Sequence, residues 1–211
     1  AIELDSLFSG YSTALLSSGT AALATALLIA HRLRPSRSEV IIPGYACPDL
    51  VSAVVFAGLT PVLVDLEPDS HCMDQEEILA SIHPDKTLAI IAVNFLGLPE
   101  QLESLSRICE EHRVFLVEDN AQAFPIPGEL LYGLCDEADR ITMAKSGVLD
   151  SVLHRIKTLV YNRIIFSSIY GLIEQLPFLR VGETTFKPLQ SIETMPDHLK
   201  AILTANVEAY L

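Results

Sequence analysis

Two stretches of this chain carry residue types and spacings that can do chemistry. Val117-Glu118-Asp119-Asn120-Ala121-Gln122-Ala123 follows an apolar, strand-like run. A buried strand ending in adjacent carboxylates puts negative charge where an α/β protein usually keeps its ligand. The competing reading is that such carboxylates are solvated or cap a neighbouring helix. Far earlier, Ser17-Ser18-Gly19-Thr20-Ala21-Ala22 opens a helix. There Gly19 permits close backbone approach, the unpaired N–H groups of the first turn can face an anion, and Ser18 and Thr20 can add hydroxyl donors. The same residues also suit ordinary helix capping. Together the two stretches fit a ligand with a phosphate at one end and a basic nitrogen at the other.

Asp119 is the more specific residue. A carboxylate held ionised beside a pyridine nitrogen keeps that nitrogen protonated and makes the ring an electron sink. Gln122 can hydrogen-bond a phenolic oxygen on the same ring. Glu118 points to the other face if the strand geometry persists, because neighbouring side chains alternate. It reads as structural.

The elements that position these residues alternate in type. Residues 20–32 (TAALATALLIAHR) read as an Ala/Leu-rich helix after a Ser/Gly/Thr cap. Strands are expected at 39–43, 60–66, 87–94 and 114–117. Helices are expected at 49–57, with Pro48 near the first turn, at 74–82, capped by Asp74 with Glu77 three residues on, and at 100–111. A turn at Gly97-Leu98-Pro99 follows the third strand. This alternation predicts an α/β fold, a three-layer α/β/α arrangement around a mostly parallel sheet. The texture changes after Pro125: 126–133 reads as loop and 134–176 as mostly helical. The expected organisation is a cofactor-binding large domain over 1–125, a helical continuation over 126–176, and a linker with the start of a small, incomplete C-terminal domain over 177–211.

Composition narrows the function. Half of the 211 residues are hydrophobic, enough for one core and borderline for two. The net charge of -13, from 27 acidic and 14 basic residues, disfavours nucleic acid and anionic membrane as partners. Any phosphate must therefore be held locally, by backbone amides, a helix N-terminus or one or two side chains. Cys47, Cys72, Cys109 and Cys135 form no CxxC pair, and the six histidines have no HxH or HxxxH spacing. No metal site is expected, and reduced thiols point to the cytoplasm. No basic leader opens the sequence and no charge-free apolar run is long enough to span a bilayer. The alternating Asp65, Glu67 and Asp69 read as a polar loop.

Several motifs in register resemble one family. Ser18-Gly19-Thr20-Ala21-Ala22-Leu23, Glu39-Val40-Ile41-Ile42-Pro43, Ala57-Gly58-Leu59-Thr60-Pro61-Val62-Leu63-Val64-Asp65, Gly97-Leu98-Pro99 and Glu118-Asp119-Asn120-Ala121-Gln122-Ala123 occur in the order of the DegT–StrS-type sugar aminotransferases. The resemblance covers roughly residues 12–125. It implies the aspartate aminotransferase fold (fold type I) and pyridoxal 5'-phosphate as cofactor. It further implies a keto-sugar substrate, often nucleotide-linked, an amino-acid donor and a homodimer. By resemblance Ser18, Gly19 and Thr20 hold the cofactor phosphate, Asp119 pairs with the pyridine nitrogen and Gln122 contacts the ring hydroxyl. Asn94, at the end of the third strand, falls near the cofactor.

Two departures stand out. Where the family has an aromatic stacked on the ring, this chain has Cys47, within Tyr45-Ala46-Cys47-Pro48. Tyr45 is expected in the neighbouring core, with ring stacking by Tyr45 as the alternative. The lysine that links to the cofactor has no recognisable counterpart. The lysines are Lys86, Lys145, Lys157, Lys187 and Lys200. Lys145 is nearest by position but lacks the family's serine-aromatic lead-in and glycine run. We expect a segment to be missing near 124–130. The leading expectation is a pyridoxal-phosphate-dependent sugar aminotransferase. Its rivals are a non-catalytic binding or regulatory member of the fold, a lysine-less dehydratase with His154 in the changed region, and a generic nucleotide binder.

Overall fold

The apolar runs pack as strands because both of their faces are covered. In the computed structural model, which describes residues 14–123, 186 and 188–195, four strands form one parallel sheet: β1 (Glu39–Pro43), β2 (Thr60–Val64), β3 (Thr87–Val93) and β4 (Phe115–Asp119), in the order β2-β1-β3-β4. Central β3 is buried at every position. That explains its unbroken TLAIIAV run, since a sheet covered on both sides shows no polar alternation. Val40, Ile42, Ile91 and Val93 pack under α1 (Gly19–Leu33) and α2 (Asp49–Phe56), against Leu27, Ala30, Leu50 and Val54. Ile41, Ile90 and Ala92 face the opposite layer, where α3 (Gln75–Ser81) brings Ile78 and α4 (Leu102–His112) brings Leu105 and Ile108. The result is the expected three-layer α/β/α arrangement.

Three element boundaries differ from the sequence expectation by two residues, each for a local reason, and the others agree to within one. β2 ends at Val64, because Leu66 turns away to bridge Met73. α4 begins at Leu102, because the buried Glu100 carboxylate accepts the backbone N–H groups of Met73 (3.2 Å) and Gln101 (2.9 Å) and holds the chain in a loop. β4 runs on to Asp119, paired with Val93, so both carboxylates of the acidic pair lie on the strand.

The direction of α1 fixes the site. Its C-terminal neighbour Arg34 lies with its guanidinium 4.1 Å from the Phe115 ring and donates to the Arg113 carbonyl, at the start of β4. A helix of 15 residues rises ~22 Å and a five-residue strand ~17 Å. Because α1 runs against the strands, its N-terminus lies at the opposite end of the sheet, where β4 finishes in Asp119. Residues 188–195, within the stretch assigned to a linker, lie along this same layer. Ile192 packs with Leu16, Ala21, Ala24 and Ala53, and Ser17 N–H donates to the Glu193 carbonyl at 2.7 Å. Residues 126–176, with Lys145, Lys157, His154 and Cys135, lie outside the described residues, as do the expected gap near 124–130 and most of 177–211.

Candidate functional site

The carboxyl ends of the strands gather the residues singled out from the sequence. Ser18 caps α1, its Oγ accepting the Ala21 N–H at 3.1 Å, while Ala22 N–H already bonds the Ser18 carbonyl. Of the four N–H groups that open any α-helix, those of Gly19 and Thr20 therefore keep no partner among the described residues. A Cβ built on Gly19 meets nothing within 4 Å, so the space before these two donors is open. This is the geometry in which a helix start takes up an anion.

The Thr20 hydroxyl is otherwise occupied. It donates to Asp49 Oδ2 at 3.2 Å, across the contact between α1 and α2. Asp49 suits the first turn of α2, where a carboxylate complements the helix dipole. It also brings negative charge beside the two open amides. Sequence reasoning missed this role. The only signal was an acidic residue directly after Pro48.

β1 leads into Gly44-Tyr45-Ala46-Cys47. Gly44 N–H bonds the Val64 carbonyl at 2.7 Å, and a Cβ there would press on Asp65 Oδ1 at 3.3 Å, so the chain leaves the sheet through a tight glycine. Tyr45 corrects an expectation: it is 75% exposed rather than in the core. It stands at the strand ends with its ring centroid 6.0 Å from that of Phe95, since the short loop after β1 carries it past the packed layer. Cys47 is exposed as well.

Asp119 sits half-buried at the end of β4. Its Oδ1 accepts the Ala121 N–H at 2.9 Å, and Oδ2 has no partner among the described residues. Gln122 Oε1 accepts the Leu96 N–H at 3.0 Å. A backbone N–H can only donate, so this bond fixes the amide and leaves the Nε2 donors facing away from Leu96. Asn94 is only 4% exposed, and its side-chain amide is fully engaged with Glu118, Asn120 and Glu100. Glu118 accordingly takes up a bracing contact within the fold.

Lys86 is the sole lysine among the described residues. Its Nζ lies 4.0 Å from Glu39 Oε1, at the amino ends of the strands and so across the sheet from Asp119. Burial raises the thiol pKa of Cys72 and pushes that of Cys109 up to about 12, so neither is a ready nucleophile. Among the described residues no cluster of His, Cys, Asp or Glu has the grouping to hold a metal, and no helix is long and apolar enough to cross a membrane.

The model of the DegT/DnrJ/EryC1/StrS aminotransferase family matches residues 7–127, more than half of the chain. The chain belongs to this family. DegT-family enzymes depend on pyridoxal 5'-phosphate, so that is the cofactor to set against the site.

Two relatives show the breadth of the family. The L-glutamine:2-deoxy-scyllo-inosose aminotransferase of Streptomyces kanamyceticus is 36% identical over 107 residues, 51% of this chain and 24% of that protein. The UDP-N-acetyl-3-dehydro-alpha-D-glucosamine 3-aminotransferase of Acidithiobacillus ferrooxidans is 37% identical over 107 residues, 51% of this chain and 28% of that one. The chain thus spans about a quarter of the length of these curated relatives. Among solved structures, the Helicobacter pylori aminotransferase PseC aligns with a TM-score of 0.51 at 24% identity, over 57% of this chain and 32% of that one, and shares the fold.

Proposed function

We propose that this DegT-family chain carries the cofactor-binding part of a sugar aminotransferase. The enzyme would move an amino group from an amino acid to a nucleotide-linked keto-sugar, as a cytoplasmic homodimer. The observation that carries the reading is the placing of an open helix N-terminus and an acidic strand end together at the carboxyl end of the sheet. The relatives' names support the sugar and amino-acid classes.

The residues fit the cofactor. The amides of Gly19 and Thr20, unpaired among the described residues, would take the phosphate in the space left open at Gly19, and Ser18 holds that helix start in shape by its cap. The Oδ2 of Asp119, without a partner among the described residues, would keep a proton on the ring nitrogen. The Nε2 donors of Gln122 would bond the ring oxygen, and exposed Cys47 would pack on the ring face. Bound pyridoxal phosphate supplies an electron sink that stabilises negative charge developing on the substrate. Asp119 would maintain that sink by keeping its carboxylate ionised beside the protonated ring nitrogen. The phosphate contacts and Gln122 orient the ring, so that the reacting carbon meets the proton-transfer group in a fixed place.

The sequence around the lysines favours a second reading. None of them carries the family's serine-aromatic lead-in and glycine run, which suits a binding or regulatory protein that retains the cofactor pocket without the linkage. The two readings separate in one experiment. The protein is incubated with pyridoxal phosphate, reduced with borohydride and peptide-mapped. A lysine carrying the cofactor supports the enzyme, Lys145 being the one nearest by sequence position. Saturable binding with no modified lysine supports the second reading. Absence of binding removes the cofactor assignment itself.

A further inference from the structure

Asp119 is useful to a ring nitrogen only if its carboxylate points in one direction, and it stands where the sheet stops. Val93 paired with Asp119 is the last step of the β3–β4 ladder. Beyond it the chain leaves β3 through the single 3₁₀ turn at Phe95–Gly97, and no further strand residue of β3 holds Asn120. Asn94 takes over from the ladder. Its backbone N–H donates to the Asp119 carbonyl at 3.1 Å. Its Nδ2 donates to Glu118 Oε1 at 2.6 Å and to Asn120 Oδ1 at 2.7 Å. Oδ1 accepts the Glu100 N–H at 2.7 Å. One buried amide thus grips the residues on both sides of Asp119, and its own backbone grips Asp119 itself.

The anchoring continues behind Asn94. Glu100, whose N–H it receives, is fixed in turn by the Met73 and Gln101 N–H groups on its buried carboxylate. Few side chains suit this place. Two donors and an acceptor are needed at one short reach, and asparagine supplies them. Aspartate there would set an acceptor-only carboxylate against Glu118, while alanine would take this partner from the buried Glu100 N–H and from the half-buried Glu118 carboxylate.

We propose that Asn94 is a positioning residue of the cofactor site: it sets the direction of the Asp119 carboxylate by clamping Glu118 and Asn120, without touching the cofactor. This rests on Asp119 being the partner of the ring nitrogen. The test uses the full chain with pyridoxamine phosphate, which needs no lysine linkage. Its readouts are the absorbance titration of the bound ring nitrogen, the dissociation constant, and thermal unfolding without ligand. Asp119→Asn serves as the reference for losing the partner altogether.

Asn94→Ala is expected to lower the ring-nitrogen pKa by about one unit, part of the fall seen in Asp119→Asn, because a misdirected carboxylate stabilises the pyridinium less. Asn120→Ala, which removes one arm of the clamp on a more exposed residue, is expected to give a smaller shift in the same direction, and it carries the test if Asn94→Ala does not fold. If both variants lose thermal stability yet titrate as the unaltered protein does, while Asp119→Asn shifts, Asn94 is merely structural and the inference is overturned alone. If Asp119→Asn leaves the titration unmoved, the assignment of Asp119 falls and the clamp falls with it.

Discussion

The backbone N–H of Leu96 donates to Gln122 Oε1 at 3.0 Å, and Leu96 is itself a non-glycine residue in the left-handed region, with φ 51° and ψ 29°. The strain and the hydrogen bond belong together. Only by turning left-handed directly after Phe95 does the chain aim this N–H at the strand-end loop of β4. The side chain gains little in return, being 84% exposed. The turn therefore spends its strain on orienting the Gln122 amide, a use of strain that is typical near ligand sites.

Replacing Leu96 separates strain from hydrogen bonding. Leu96→Gly keeps the N–H and relieves the left-handed conformation, so it should stabilise the protein by roughly 1 kcal/mol. Leu96→Pro cannot adopt a positive φ and loses the donor, so it should destabilise by roughly 2 kcal/mol or more. Thermal unfolding followed by circular dichroism reads both. A Leu96→Gly variant no more stable than the unaltered protein would show that the turn is not strained as described.

Asp49 should weaken phosphate binding at the start of α1. Its carboxylate accepts the Thr20 hydroxyl at 3.2 Å and so stands beside the open amides. Asp49→Asn removes the charge and retains an acceptor for that hydroxyl. The expected gain is about 1 kcal/mol, or roughly fivefold tighter binding at low salt, shrinking as salt screens the charges. Titration with pyridoxal phosphate and with inorganic phosphate at two ionic strengths measures it. Equal affinity of the two proteins would place the anion elsewhere.

Much of this arrangement could be read from residue order, and the reasons are physical. The unbroken apolar run of β3 and the Ala/Leu face of α1 report burial directly, so the layers and their order followed. Ser18-Gly19-Thr20 and Asp119 declare themselves because helix starts and strand ends need particular residue types. What could not be read was contact between segments far apart in the chain. The Thr20–Asp49 bond joins two helices, and the Asn94 clamp joins the ends of two strands. Tyr45 misled because aromatic character signals a core only when the backbone keeps the ring inside, and the tight exit at Gly44 carries it out. The Leu96 N–H is a backbone group with no side-chain signature at all.

The buried thiol of Cys109 makes stability depend on pH in the alkaline range. Its folded pKa is pushed up to about 12, chiefly by burial and then by the nearby Glu110 charge. In the unfolded chain a thiol loses its proton near pH 8.5. Between those values the folded state holds the extra proton, so stability is fully present below about pH 8.5 and falls as pH rises towards 12. Cys109→Ala removes this dependence at the cost of a small cavity. Urea unfolding from pH 8 to 10.5 should therefore show a steeper decline in the unaltered protein than in the variant. Parallel declines would mean that Cys109 is not the group responsible.

Cys47 offers the most direct check on where the cofactor ring lies. It is exposed, whereas Cys72 and Cys109 are buried, so a maleimide applied to the native protein should modify Cys47 well ahead of those two. Peptide mapping assigns the label and resolves Cys135 separately. Pyridoxal phosphate at about ten times its dissociation constant should slow labelling of Cys47 by roughly tenfold, the factor by which the free site is depleted. A thiol offers a ring less contact area than an aromatic face does. Cys47→Phe should tighten binding by about 1 kcal/mol through stacking, roughly fivefold. Should the cofactor bind without shielding Cys47, and Cys47→Phe leave the affinity unchanged, the ring would have to lie elsewhere, and Tyr45, which borders the same strand ends beside Phe95, would become the stacking residue.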